Sequence, residues 1–352
     1  MVDKEIILSK IDKSANKLNG KFPHITKDGI WQTNEDGFWT GGFWIGILWW
    51  AYLWSKNDKY KNWAYEYLEL LKNQIEVKTL DLGFLFYPSF VLGYQITKDI
   101  YLKKVSLQAC DNLLAQFNGK FFGGWWLDDE EKPNHQITTI DTMTNLSLIW
   151  WAYEETKEKK YLNVCIEHTK ITQKNFLREN GSTAHVVEFK IPDGKKIKEQ
   201  THQGYNHNSC WSRGQAWALY GFAKAYNVSK EEGFLATAMV LADYFIKNLP
   251  IDFVPYYDFE DPNIPDVPKD SSAAVIAACG LLDLAKELDD YRQPALNILN
   301  SLTQGYLTSQ NHDGILTAGC YHLPLKEGIN CSTIWGDYYY LEALSKLDDG
   351  SI

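Results

Sequence analysis

The chain has 352 residues, 45% of them apolar and 23% charged, an ordinary globular balance that excludes disordered and collagen-like classes. Its formal net charge of −10 disfavours phosphate backbones and anionic membrane surfaces, so neither nucleic acid nor a membrane is expected as a partner. With 14 Trp, 21 Tyr and 16 Phe, aromatic residues reach 14% of the chain, more than a core needs, which leaves rings to line a cleft.

The first residues, Met1-Val-Asp-Lys-Glu5, lack the basic flank, apolar run and small-residue cleavage site of an export signal. No stretch reaches the ~18 uninterrupted apolar residues of a membrane span. Six scattered cysteines without a C-x-x-C pair read as reduced and buried, and a cytoplasmic protein is expected. After a helix over Lys4 to Leu18, a loose repeat sets in. An apolar helix ends in a small residue and a Tyr, a few polar residues follow, and a second helix begins near an aromatic. The copies are Gly46 to Tyr52 then Tyr60, Phe84 to Tyr94 then Tyr101, Met143 to Tyr153 then Tyr161, and Gln215 to Tyr226 then Phe234. A weaker copy runs from Ala273 to Leu288 then Tyr291, and a last helix spans Trp335 to Leu347.

The first helix of each pair is apolar nearly all round, as in Leu146-Ser-Leu-Ile-Trp-Trp-Ala-Tyr153, and the second is amphipathic, as in Tyr60 to Leu71. The former are inner helices and the latter outer ones. Hairpins of this kind, with the two end helices forming a sixth pair, predict an all-α fold: a closed six-hairpin (α/α) barrel, one domain over residues 1–352. An open α-solenoid is the alternative, disfavoured because the ends supply the missing pair.

In a closed ring the inner helices run parallel, so the segments before them open onto one mouth. Those segments are Phe38-Trp-Thr-Gly-Gly42, Leu80-Asp-Leu-Gly83, Ile140-Asp-Thr142, Cys210-Trp-Ser-Arg-Gly214, Lys269-Asp-Ser-Ser272 and Ser332-Thr-Ile-Trp335. Carboxylates and Trp faces on one mouth suit a sugar-binding cleft. Asp81, Asp141 and Asp270 each stand where an Asp caps a helix N-terminus, and for any one of them capping is the ordinary role. Two at one mouth between Trp-rich loops equally describe paired carboxylates for acid/base work, with Trp126 and Met143 as apolar neighbours that raise a carboxyl's pKa. Arg213, among apolar and small residues, needs an anion: a nearby Asp or a ligand carboxylate. His202 and His207 lie five apart with no third ligand at metal spacing, so no metal is expected, and the run reads as polar sugar-binding groups. Phosphate-binding loops, dinucleotide fingerprints and G-x-S-x-G elbows are missing, and Gly123-Gly124 reads as a turn.

Trp39-Thr-Gly-Gly-Phe-Trp44, Asp81-Leu-Gly-Phe-Leu85, Ile140-Asp-Thr-Met-Thr-Asn145 and Trp211-Ser-Arg-Gly-Gln-Ala-Trp-Ala-Leu-Tyr-Gly-Phe222 resemble the unsaturated glucuronyl hydrolases of glycoside hydrolase family 88. Asp270-Ser-Ser-Ala-Ala274 and Ile334-Trp-Gly-Asp-Tyr-Tyr-Tyr-Leu-Glu-Ala-Leu344 continue the resemblance, in order, from about Phe22 to the last helix. The family's fold is a six-hairpin α/α barrel. The resemblance implies an enzyme that removes a terminal 4,5-unsaturated uronic acid from oligosaccharides left by polysaccharide lyases, by hydrating the ring's vinyl ether, without metal or organic cofactor. It implies that Asp141 is the general acid/base, protonating C4 and activating the water that attacks C5, and that Asp81 is the second essential carboxylate. His185 and Gln203 match positions near the water and sugar hydroxyls, and Trp39, Trp126, Arg213 and Trp217 match positions lining the subsites; His202 and His322 are further substrate-binding candidates. Leu80 stands where some members carry His. Members favouring sulfated disaccharides carry S-x-x-S-x-K before the W-G-D-Y block, where this chain has His322, Leu325 and Glu327, so unsulfated substrates are expected. The alternatives are an unsaturated rhamnogalacturonyl hydrolase of family 105, acting on pectin fragments, and a sugar-binding toroid without catalysis.

Overall fold

A computed structural model of the chain describes residues 3–124, 135–191 and 193–348. Its helices in chain order are α1 (Lys4–Leu18), α2 (Gly41–Ser55), α3 (Asp58–Leu71), α4 (Leu82–Phe86), α5 (Leu92–Thr97) and α6 (Ile100–Leu114). There follow α7 (Thr142–Asn145), α8 (Ser147–Thr156), α9 (Lys159–Phe176), α10 (Ser212–Ser229), α11 (Glu232–Lys247), α12 (Ser271–Leu284), α13 (Arg292–Gly305) and α14 (Ile334–Leu347). Burial sorts them as their patterns require: every residue of α12 is buried, whereas α3 buries only Tyr60, Ala64, Tyr67, Leu68 and Leu71 along one stripe. Two expected inner helices are interrupted. Pro88 has no amide proton to give, and Tyr87–Val91 forms a π-helical turn between α4 and α5. The helix expected over Met143 to Tyr153 is divided at Leu146 into α7 and α8.

Four hairpins share one turn. Lys56, Lys98, Lys157 and Lys230 adopt the left-handed conformation, with φ of 55°, 60°, 61° and 58°. Each donates its N–H, at 2.8 Å, to the carbonyl of the Tyr four residues earlier, namely Tyr52, Tyr94, Tyr153 and Tyr226. The Ser or Thr just before each Lys binds back to its own helix and accepts the N–H of the residue that opens the outer helix. A non-glycine residue in this conformation costs roughly 1 kcal/mol, which these bonds offset.

The inner helices close a ring: α2 packs on α4 and α5, α4 on α7 and α8, these on α10, then α12 and α14, which returns to α2. Helix α1 lies outside α2 and α14, with Ile11 facing Trp44, Ile47 and Ile334 around a small void. The ends are tied by Lys4 with Asp348, and by Trp54 Nε1 donating to Ser345 Oγ at 2.8 Å. The expected six-hairpin barrel is therefore the architecture. Three small antiparallel sheets that the sequence did not suggest decorate it: β1 (Phe22–Lys27) with β2 (Ile30–Asn34), the order β3 (His135–Thr139), β4 (Val186–Lys190), β5 (Lys195–Gln200), and β6 (Gly319–His322) with β7 (Glu327–Cys331). All are built from segments that precede the inner helices, so they gather at the mouth where those helices begin. No helix among the described residues is long and apolar enough to cross a membrane.

Candidate active site

At that mouth lies a cavity of about 220 Å³. Asp81 precedes α4 and Asp141 precedes α7, and neither side chain caps its helix. Asp270 does cap: Oδ1 accepts the N–H groups of Ser272 at 3.0 Å and Ala273 at 3.4 Å. The capping role is thus real for Asp270, while the other two carboxylates are left to face the cavity.

Their spacing is set by a close approach of two inner helices. A Cβ added at Gly83 would stand 2.2 Å from the Asn145 carbonyl oxygen and 2.4 Å from its Cα. Across this contact Asn145 Oδ1 accepts the Phe84 N–H at 2.8 Å and its Nδ2 reaches the Asp141 carbonyl at 3.4 Å. On the other side of α7, Gly221 gives room for Met143, whose Cβ would lie 2.5 Å from an added methyl. Asp81 is 3% exposed. Burial first, and the negative charge of Asp141 second, push its pKa well above the ordinary carboxylate range, against hydrogen bonds from Thr79 and Asn145.

Residues distant in sequence complete the wall. His185, just before β4, places Nε2 3.6 Å from Asp141 Oδ2 and stacks on Trp211 with ring centres 4.3 Å apart. His202 and Gln203 follow β5, and the Gln203 amide donates to the Tyr321 carbonyl at 2.9 Å. Burial, then the neighbouring His185 and His322, lower His202 to about 4, so it is neutral at pH 7. His322, at the end of β6, accepts the Leu325 N–H at 3.3 Å, and burial followed by Arg213 lowers its pKa too. His207 lies exposed off the cavity, where its Nδ1 accepts the Thr201 N–H at 3.1 Å.

Arg213 meets the first of its two expected partners, a nearby Asp. It borders the cavity, yet its guanidinium pairs with buried Asp270 and donates to the Cys320 carbonyl at 2.6 Å and the Tyr321 carbonyl at 2.7 Å. The Trp211 ring lies 4.6 Å from it. The ion pair explains why an Arg is tolerated there, and the two carbonyl bonds pin the β6–β7 hairpin to α10.

Trp39 and Trp217 line the cavity, bridged by Phe84, whose ring is 5.6 Å from Trp39 and 5.1 Å from Trp217. Trp126 lies outside the described residues. His207, part of the run expected to bind sugar, stands off the cavity; the other residues expected at the site come together. Trp211, one of the Trp faces expected at the mouth, lines the cavity too; sequence reasoning missed Phe38, Phe84, Thr139 and Tyr321 as lining groups. Phe84 had a signal, since it lies three residues from Asp81 on one helical face; Tyr321 had only its adjacency to His322. A larger cavity, about 610 Å³, lies at the opposite end of the barrel, but its charges pair with each other, as Lys224 with Glu154 and Lys346 with Asp283 and Glu342.

A closed α/α barrel with a buried Asp81 and a half-buried Asp141, both uncapped, among aromatic rings at one mouth is the arrangement of a carbohydrate-active enzyme. Residues 10–245 match the model for Glycosyl Hydrolase Family 88. The unsaturated chondroitin disaccharide hydrolase of Streptococcus pneumoniae is 33% identical over 98% of this chain and 92% of its own length. The crystal structure of the unsaturated glucuronyl hydrolase of Bacillus sp. GL1, responsible for glycosaminoglycan degradation, superposes with a TM-score of 0.93 at 32% identity, covering 97% of this chain and 95% of that one. A mutant of the Streptococcus agalactiae unsaturated glucuronyl hydrolase, complexed with dGlcA-GalNAc6S, superposes with a TM-score of 0.85 at 29% identity over 97% and 89% of the two chains. The chain belongs to glycoside hydrolase family 88.

Proposed function

We propose that this enzyme releases the terminal 4,5-unsaturated uronic acid from lyase-generated disaccharides by hydrating the C4=C5 vinyl ether, with Asp141 as the proton-transferring group. The observation that carries the reading is the pair of carboxylates held at the mouth by the Gly83–Asn145 contact, with neither spent on capping. Protonated Asp141 gives its proton to C4, and the positive charge that develops at C5 is shared with the ring oxygen. A water adds to C5 and returns its proton to Asp141, so the carboxyl ends as it began. The product is a hemiketal at C5. Breaking its C5–O5 bond leaves O5 and the glycosidic oxygen together on C1 as a hemiacetal, which expels the aglycone sugar. Asp81, close enough for the charge of Asp141 to add to burial in raising its pKa, orients the substrate. Trp39, Phe84 and Trp217 offer flat apolar faces to the sugar.

Among such substrates the unsulfated ones fit best. Leu325 is 68% exposed at the tip of the β6–β7 hairpin, beside exposed Lys326 and Glu327 and next to His322 on the cavity wall. A leucine and a carboxylate there offer a sulfate no donor and add repulsion, with only Lys326 opposing. Equal kcat/KM on a 6-sulfated and an unsulfated unsaturated chondroitin disaccharide would overturn this preference.

The function itself is tested by the ultraviolet absorbance of the conjugated unsaturated uronate. It should decay with the wild-type enzyme on unsulfated unsaturated chondroitin disaccharide and slow by about 100-fold or more with Asp141→Asn. Decay at an unchanged rate with Asp141→Asn removes that residue from the proton transfer. No decay with wild type, on this or on an unsaturated rhamnogalacturonan disaccharide, removes the reaction.

A further inference from the structure

Thr201 has no place in the cavity wall, yet it sits at the head of a short chain of polar contacts that ends at Asp141. Its Oγ1 accepts the Gly204 N–H at 2.9 Å and lies 3.1 Å from Nδ1 of His185. The same Nδ1 accepts the backbone N–H of His202 at 3.4 Å. A ring nitrogen that faces an N–H donor has its lone pair turned to that donor, so Nδ1 carries no proton. The Thr201 hydroxyl is then the second donor to Nδ1, and the imidazole proton stands on Nε2. That nitrogen is the one 3.6 Å from Asp141 Oδ2. The ring cannot swing away: it is 5% exposed, stacked on Trp211, and its carbonyl accepts the Ile140 N–H at 2.9 Å, one residue before Asp141.

We propose that Thr201 is a positioning residue for the reaction: as the nearer of the two donors on Nδ1, beside the longer His202 N–H contact, it holds the His185 proton on Nε2, keeps an N–H directed at Oδ2 of Asp141, and leaves the other carboxyl oxygen to exchange the proton with the sugar. The inference rests on the reading of Asp141 as the proton-transferring group. At 3.6 Å the contact is longer than a hydrogen bond, as catalytic contacts often are before substrate tightens them. With the proton on the wrong nitrogen, Nε2 would present a lone pair to the carboxylate, and the two acceptors would repel.

Two variants and one spectrum test it. Thr201→Val deletes the hydroxyl and keeps the branched shape, while Thr201→Ser keeps the hydroxyl. In wild type, nitrogen-15 NMR of the histidine rings should show Nε2 of His185 carrying the proton and Nδ1 bare. Thr201→Val should populate the other tautomer and lower kcat on the order of 10-fold with KM within about twofold, as for a group mis-set rather than removed. Thr201→Ser should recover both the tautomer and most of kcat. A wild-type His185 with its proton on Nδ1, or Thr201→Val with wild-type kcat, overturns the proposal. So does a fall in kcat with the tautomer unchanged, which would mark Thr201 as merely structural. Because the tautomer is read without turnover, its failure is distinct from the failure of Asp141→Asn to abolish activity.

Discussion

Adding one methyl group at Gly83 tests whether helix contact sets the carboxylate spacing. In Gly83→Ala the new Cβ would lie 2.2 Å from the Asn145 carbonyl oxygen and 2.4 Å from its Cα, both backbone atoms that no rotamer change relieves. Ordinary contact begins near 3.4 Å, so the turn bearing Asp81 must retreat from the turn bearing Asp141 by about 1 Å. Overpacking of this kind costs about 1–3 kcal/mol. A displacement of about 1 Å in a reacting constellation costs on the order of 100-fold in rate. The variant should therefore show a lowered Tm together with a kcat reduced about 100-fold on the unsaturated disaccharide, measured by absorbance decay. A variant with lowered Tm and wild-type kcat would refute the reasoning, because the carboxylates would then hold their places without this contact.

Three further outcomes follow from the same geometry. Burial and Asp141 raise the pKa of Asp81, so the folded state binds a proton there more tightly than the unfolded chain does; the sign of the linkage is that stability falls as pH rises above about 4. Asp81→Asn, which cannot ionise, should lose activity yet melt about 2 °C higher than wild type at pH 7.5, with the gain fading towards pH 4, and an Asn variant that melts lower at pH 7.5 would contradict this. Arg213→Met leaves Asp270 buried without its partner and should cost about 3–5 kcal/mol in denaturant unfolding, part of it recovered in Arg213→Met/Asp270→Asn; additive losses would deny the pairing. Replacing the hairpin groups together, as His322→Ser/Leu325→Ser/Glu327→Lys, should raise kcat/KM for a 6-sulfated relative to an unsulfated disaccharide by about 10-fold, the worth of turning an exposed repulsion into an attraction. An unchanged ratio would place sulfate discrimination elsewhere.

The ring of hairpins was readable because an inner helix buried on every side admits few polar residues, and an outer one must show a stripe. The turn between them was readable only as polar residues after a Tyr; that Lys56, Lys98, Lys157 and Lys230 share one left-handed conformation is a property of the folded chain. The small sheets left little trace. Lys195-Lys-Ile-Lys-Glu-Gln200 has no alternation of apolar residues, since one edge of β5 faces solvent and its pairing with β4 is decided by the backbone. At the mouth, the residue types of Asp81, Asp141 and Asp270 are the same, and a sequence position before a helix does not tell a capping carboxylate from a free one. What separates them is tertiary: Asp270 meets Arg213 and its own helix N-terminus, whereas Asp81 and Asp141 meet each other across Gly83 and Asn145. His185 and Tyr321 join the cavity from segments remote in the chain, and no local pattern carries that distance.

Closure of the ring by its first and last helices has a consequence for how the enzyme comes into being. A ribosome releases the chain from the N-terminal end, so α2 emerges long before α14 can cover it. Until then the face of α2 around Gly46, against which Tyr338 packs, has nothing to lie on. The clamp by which the Asp337 carboxylate accepts the N–H groups of Ile315 at 2.8 Å and Leu316 at 2.9 Å also waits for α14. A nascent chain stalled before residue 334 thus offers a wide apolar seam to chaperones or to its neighbours, and gains a complete mouth only once α14 has been made.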